Sequence, residues 1–180
     1  MLLLAASNSR VISCLTGAHI AACMLHTAAG LGDVIGRAVV DLGCGCGKLS
    51  FAAALLGAGH VLGVDVDQDA LAVAAENEAQ FEPLPLDWLI ADVTSLPAAL
   101  WAHTVVSNPP FGTRVKGADV AFLRVAFGIA SSAVYSLHKS STRRHLERFV
   151  ASMPGWSGKV GLAAEPLFDR CTHALPAGPC

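Results

Sequence analysis

Charge is scarce in this 180-residue chain: 14% of its residues are charged, and twelve basic against fourteen acidic side chains leave a formal charge of −2. That balance excludes nucleic-acid binding driven by bulk positive charge and leaves only a local basic patch for such a role. No uninterrupted apolar run reaches the roughly eighteen residues of a membrane-spanning helix, so no membrane association is expected. The six cysteines include no Cys-x-x-Cys pair, and Cys171-x-His173 falls short of the ligands of structural zinc. No metal is therefore expected, and a domain of this size does not need disulfides, so reduced thiols are the expectation. Acids are absent before Asp33, and the opening Met1-Leu2-Leu3-Leu4-Ala5-Ala6 lacks a charged region ahead of it. With arginine also rare there, neither a signal peptide nor a transit peptide fits, and the expected location is nuclear and cytoplasmic.

What the chain does have is apolar material, 53% of the residues, enough to bury a core of real size in one domain. Residues 1–180 are read as that single domain, with an atypical segment at 1–15 and an irregular tail at 166–180. A helix is expected over 17–29, entered from Thr16, and Ala38-Val39-Val40-Asp41-Leu42 has the continuous apolar pattern of a strand buried on both faces. A helix over 48–56, a strand over 60–64 and an acid-started helix over 67–80 follow. Short strands are expected at 88–90, 104–106 and 133–137, helices at 122–130 and 142–152, and a further strand at 159–164. Strands alternating with helices predict an α/β fold, a doubly wound and mostly parallel Rossmann-like sheet.

The first strand runs into Asp41-Leu42-Gly43-Cys44-Gly45-Cys46-Gly47, a loop whose glycines let the backbone turn sharply and approach a ligand. About twenty residues after its first glycine, Asp65 ends the second strand, where a ribose-binding acid belongs in such folds. A plain turn with Asp65 as a helix cap is the competing reading. The glycines are spaced differently from a dinucleotide fingerprint, and S-adenosylmethionine, cationic and free of phosphate, suits Asp41 and Asp65 better. Asp92, at the end of the third strand, is placed to border the adenine or else to cap a turn.

Ser107-Asn108-Pro109-Pro110-Phe111-Gly112 follows the fourth strand, at the carboxyl end of the sheet where ligands lie in this architecture. The lone pair of an adenine amino group is delocalised into its ring, so an enzyme gains by accepting hydrogen bonds from both amino hydrogens. Asn108 offers a side-chain carbonyl and Pro109 a backbone one. Pro110 helps hold the loop extended, and Phe111 offers a face for a flipped base. A side-chain amide presents two hydrogens to the same acceptors, so a protein-glutamine methyltransferase is the second enzyme reading. A truncated, non-catalytic paralogue is the third.

The glycine loop, Asn108-Pro109-Pro110-Phe111-Gly112-Thr113 and Tyr135-Ser136-Leu137-His138-Lys139-Ser140-Ser141-Thr142 together resemble the methyltransferase-like protein 5 family of class I methyltransferases. The resemblance runs from about Thr16 to Asp169 and implies N6-methylation of an adenosine in small-subunit ribosomal RNA. It also implies S-adenosylmethionine as cofactor and a heterodimer with a small zinc-binding activator subunit. The cofactor residues expected are Thr16, Asp41, Gly43, Cys44 and Gly45, then Asp65, Val66, Asp92, Val93 and Asn108. The last strands of the family's sheet are expected to be missing, leaving an open edge.

Lys139, Arg143 and Arg144 are the candidates for RNA phosphates, with His138, His145 and Arg148 beside them; an ordinary solvated helix face is the alternative. Trp88-Leu89-Ile90 reads as a short apolar strand that a partner subunit would cover, or one whose tryptophan packs internally.

Overall fold

A computed structural model of the chain describes residues 18–97, 99–109, 117–138, 142–160 and 170–176. Thirteen residues form α1 (Ala18–Gly30), after which β1 (Ala38–Leu42), α2 (Lys48–Leu55) and β2 (His60–Asp65) make the first strand-helix-strand unit. Then come α3 (Gln68–Glu78), β3 (Leu86–Ile90), a 3₁₀ turn (Val93–Ser95), β4 (Ala102–Ser107) and α4 (Ala118–Ile129). The chain ends in β5 (Ala130–His138), α5 (Arg143–Ala151), β6 (Trp156–Val160) and β7 (Arg170–Pro176).

The seven strands form one sheet in the order β3-β2-β1-β4-β5-β7-β6. The first five are parallel and β7 is antiparallel to both β5 and β6. Alternation along the strands splits the core in two. Val39, Val61, Val106 and Tyr135 pack with Met24, Leu25 and Ala28 of α1 and Ala53 of α2. Val40, Val64, Val105 and Val134 face the other way, onto Leu123 and Phe127 of α4 and Leu146 and Val150 of α5. Both sheet faces are thus buried, which is why the central strands read as unbroken apolar runs.

The expected doubly wound parallel sheet is present, and the chain's end corrects two expectations. Residues 170–176, read as part of an irregular tail, are the strand β7, so the sheet does have a closing strand where none was expected. Proline and glycine near the terminus pointed to a loop, but β7 lies between two strands that both pair with its backbone, and Pro176 stands at its last position. The strand covers the edge of β5 that would otherwise have been open. The sixth strand also comes earlier than the expected 159–164, at Trp156–Val160.

β1 and β4 are neighbours in register, with Leu42 opposite Ser107, so the glycine loop and Asn108 leave adjacent strands at the same end of the sheet. The switch in strand order between β1 and β4 makes the crevice in which ligands of open α/β sheets bind.

Candidate active site

Gly43, Gly45 and Gly47 all take left-handed backbone angles, with φ of +70°, +54° and +82°. Side chains other than glycine rarely adopt that conformation, so the loop's path depends on these residues. Its start is tied to β2, because the Gly43 and Cys44 amides both donate to the Val64 carbonyl, at 2.8 and 3.0 Å. Its middle is tied to the acid that ends β2: the Gly45 amide donates to Asp65 Oδ2 at 2.7 Å, while Asp67 N donates to Oδ1 at 2.9 Å.

Asp41 lies beneath this loop and is fully buried. Ser50 Oγ, from the first turn of α2, donates to its Oδ2 at 2.6 Å, and Oδ1 has no hydrogen-bond partner among the described residues. Burial pushes its pKa up to about 7, the Ser50 hydrogen bonds oppose that shift, and the nearby Asp65 adds to it. An orphaned oxygen on a buried carboxylate is costly unless something cationic or hydrogen-bonding meets it. Cys44 is buried beside both acids, and burial first, then Asp41 and Asp65, push its thiol far up. It is a neutral packing group and no nucleophile. Cys46 is disulfide-bonded, which corrects the expectation of reduced thiols at that position; Cys23 and Cys44 are free.

Val66 follows Asp65 with 71% of its surface exposed, an apolar side chain held open at the carboxyl end of β2. Asp92 is close to Asp65 along the sheet, since the Ala91 amide donates to the Asp65 carbonyl at 2.9 Å. Its Oδ1 accepts from both the amide and the hydroxyl of Thr94, at 2.8 and 2.7 Å, and those two bonds hold its carboxyl below the usual range. Asp92 thus caps the turn at Val93–Ser95, at the carboxyl end of β3. Val93 is buried in the turn that Asp92 caps.

Asn108 is half-buried and Pro109 buried, directly past β4. The residue before them, Ser107, meets Ser136 of β5 in a buried hydroxyl pair at 2.8 Å. Arg143 Nε donates to Glu147 Oε1 at 2.8 Å along α5, and Arg144 beside it is exposed. Thr16, Pro110, Phe111 and Lys139 lie outside the described residues.

The structure thus gathers Asp41, Gly43, Cys44, Gly45, Asp65, Val66 and Asn108 at one end of the sheet. Sequence reasoning missed Ser50, nine residues after Asp41 in the helix that follows the loop. A small polar residue in that helix's first turn was the available signal. Ser136 stands in the run from Tyr135 to Thr142, but its pairing with Ser107 depends on strand register.

The family model for ribosomal protein L11 methyltransferase (PrmA) matches residues 16–108, the half that ends at Asn108. Over 158 residues the chain is 44% identical to the rRNA N(6)-adenosine-methyltransferase METTL5 of Danio rerio, covering 86% of this chain and 75% of that protein. This chain belongs to the METTL5 family. The Drosophila melanogaster member is 42% identical over 159 residues, covering 86% of this chain and 73% of its own length. Among solved structures, PH1948 from Pyrococcus horikoshii superposes with a TM-score of 0.67 at 34% identity, covering 87% of this chain and 79% of that one. The magnesium protoporphyrin IX methyltransferase of Synechocystis PCC 6803, solved with bound SAM, gives a TM-score of 0.73 at 18% identity, covering 88% and 80%. That second likeness is one of fold, and it is the class I methyltransferase fold.

Proposed function

We propose that this chain is an S-adenosylmethionine-dependent RNA methyltransferase acting on adenine N6 in small-subunit ribosomal RNA. The observation that carries the reading is Asn108 emerging from β4 beside the glycine loop, above a buried Asp41 with one unmatched oxygen. Membership of the METTL5 family supports the reaction class and the RNA substrate.

The residues present fit the cofactor. Left-handed glycines leave room for a close ligand, Asp41 Oδ1 suits an ammonium group, Asp65 suits ribose hydroxyls, and exposed Val66 offers an apolar surface to a purine. When bound, S-adenosylmethionine supplies a methyl group on an electrophilic sulfonium. The protein's part is positioning and charge stabilisation. The Asn108 side-chain carbonyl and the Pro109 backbone carbonyl accept the two hydrogens of the adenine amine. Both acceptors stabilise the positive charge that grows on nitrogen, so no base is needed before attack. The Ser107–Ser136 pair fixes β4 against β5 immediately before these acceptors. Phe111 is assigned the stacking face for a flipped base.

The partner reading is a heterodimer with a small zinc-binding activator subunit. Support comes from β3, the outermost parallel strand, which carries Leu89 and Ile90 at 37% and 56% exposure. An apolar edge that pairs with no further strand among the described residues favours a covering strand from another chain. Among the described residues no helix is long and apolar enough to cross a membrane. The proposed location is nuclear and cytoplasmic, where ribosomal RNA is made and used.

Transfer of labelled methyl to small-subunit ribosomal RNA, with activator present, tests the reading. We expect labelled N6-methyladenosine from the unmutated chain and none from Asn108→Ala. Label on a peptide glutamine instead would transfer the assignment to protein substrates, and no transfer at all would leave a non-catalytic paralogue.

A further inference from the structure

Trp88 is the middle residue of the edge strand β3, and its indole reaches inward across two glycines. Gly63 of β2 is its partner in register, and a Cβ built there would lie 2.5 Å from Trp88 Cε3 and Cζ3. At Gly47, where the glycine loop enters α2, a Cβ would lie 2.6 Å from Trp88 Cη2. One ring therefore packs against both the second strand and the last turn of the loop, in space that exists because both residues lack side chains.

The ring is also held from two other directions. Its Nε1–H donates to Glu78 Oε2, at the end of α3, at 2.7 Å. Phe51 of α2 lies tilted against it with centroids 5.7 Å apart, and Phe51 in turn stacks on Phe81 at 5.5 Å. The Phe51 amide donates to the Gly47 carbonyl at 2.8 Å, so the residue that packs on the indole also closes the loop's exit. A glycine loop has much conformational freedom to lose and few side chains with which to fix itself. Its shape must be imposed by what lies beneath it.

We infer that Trp88, oriented by Glu78, is a positioning residue for the cofactor loop, setting cofactor affinity without taking part in methyl transfer. The inference rests on the cofactor reading above. It also gives the edge strand a role in the site, because the strand that carries exposed Leu89 and Ile90 carries the loop's support.

The test uses the full chain and S-adenosylmethionine, with the dissociation constant measured by titration calorimetry and kcat taken at saturating cofactor. Trp88→Phe and Glu78→Ala should each weaken binding about fivefold to tenfold with kcat within about twofold, the pattern of lost ground-state positioning. Glu78→Gln keeps an acceptor for the indole and should restore near-normal affinity. Binding should also perturb tryptophan emission in the unmutated chain, and that change should vanish in Trp88→Phe. Unchanged affinity in folded Trp88→Phe and Glu78→Ala overturns the inference alone, as does a fall in kcat at unaltered affinity. Should Trp88→Phe fail to fold, the Glu78→Ala and Glu78→Gln pair decides the matter. No binding by the unmutated chain overturns the cofactor reading and this inference with it.

Discussion

The Asp65 carboxylate accepts the Gly45 amide at 2.7 Å, so the acid that ends β2 clamps the loop that leaves β1. Its other oxygen takes the Asp67 amide at the start of the next helix. One side chain thereby fixes the relative position of two elements that a nucleoside-containing ligand must touch together.

Replacing Asp65 with alanine removes two charge-assisted hydrogen bonds, each worth about 1.5–3 kcal/mol in such settings. We expect cofactor affinity to fall by at least about tenfold, through both the lost ribose acceptor and the loosened loop. Asp65→Asn keeps one acceptor for Gly45 and should fall between the two. Calorimetric titration with S-adenosylmethionine ranks the three proteins; equal affinities would remove Asp65 from the site.

Asp41 makes the cofactor-free protein sensitive to pH. Its folded pKa is raised from 3.8 to about 7 by burial, so the folded chain holds a proton that the unfolded chain releases. Stability should therefore fall as pH rises from about 4 to 7 and level off above, by on the order of a few kcal/mol. His103, lowered chiefly by burial and then by Arg37, acts in the opposite sense, its stability contribution being lost as pH drops through the usual histidine range. Comparison with Asp41→Asn isolates the carboxyl: thermal unfolding across that window should show a shallower decline in the variant. Parallel curves would assign the pH dependence to other groups.

Those two acids and the glycine loop were legible in the sequence because their information is local. An apolar run, three glycines and an acid at fixed spacing mean the same thing wherever the sheet is built. The strand at Arg170–Pro176 was not legible, since its pairing comes from β5 and β6 rather than from its own composition. The helix expected from Phe122 begins four residues earlier, at Ala118, after a left-handed Gly117. Trp88 shows the limit most clearly. Its neighbours gave it equal claims to an exposed edge and an internal contact, and only the register of β3 on β2 places it over Gly63.

Tyr135, a buried residue of the central sheet, donates its hydroxyl to Asp33 Oδ2 at 2.6 Å, and Thr104 donates to the Asp33 backbone carbonyl. Burial and the neighbouring Asp33 push the phenol above its usual range, so it remains a donor throughout the working pH range. These bonds anchor the turn between α1 and β1 to β4 and β5. Tyr135→Phe removes a charge-assisted bond to a buried carboxylate and should cost about 1–3 kcal/mol. Denaturant unfolding measures it; a loss below about 0.5 kcal/mol would make the anchor redundant.

Basic side chains line the exposed face of α5. Arg143 is already engaged with Glu147, an i,i+4 pair that competes with any phosphate, whereas Arg144 is exposed beside it. A chain with net charge −2 has no general attraction for RNA, so each arginine that does meet a phosphate should stand out in the salt dependence. Arg144→Ala should weaken RNA binding across sequences and reduce the slope of log affinity against log salt by about one. Arg143→Ala should reduce it less, because removing that side chain also frees Glu147 near the phosphate. Filter binding of a ribosomal RNA fragment at several salt concentrations reads both slopes, and slopes matching the unmutated chain would make α5 an ordinary solvated face.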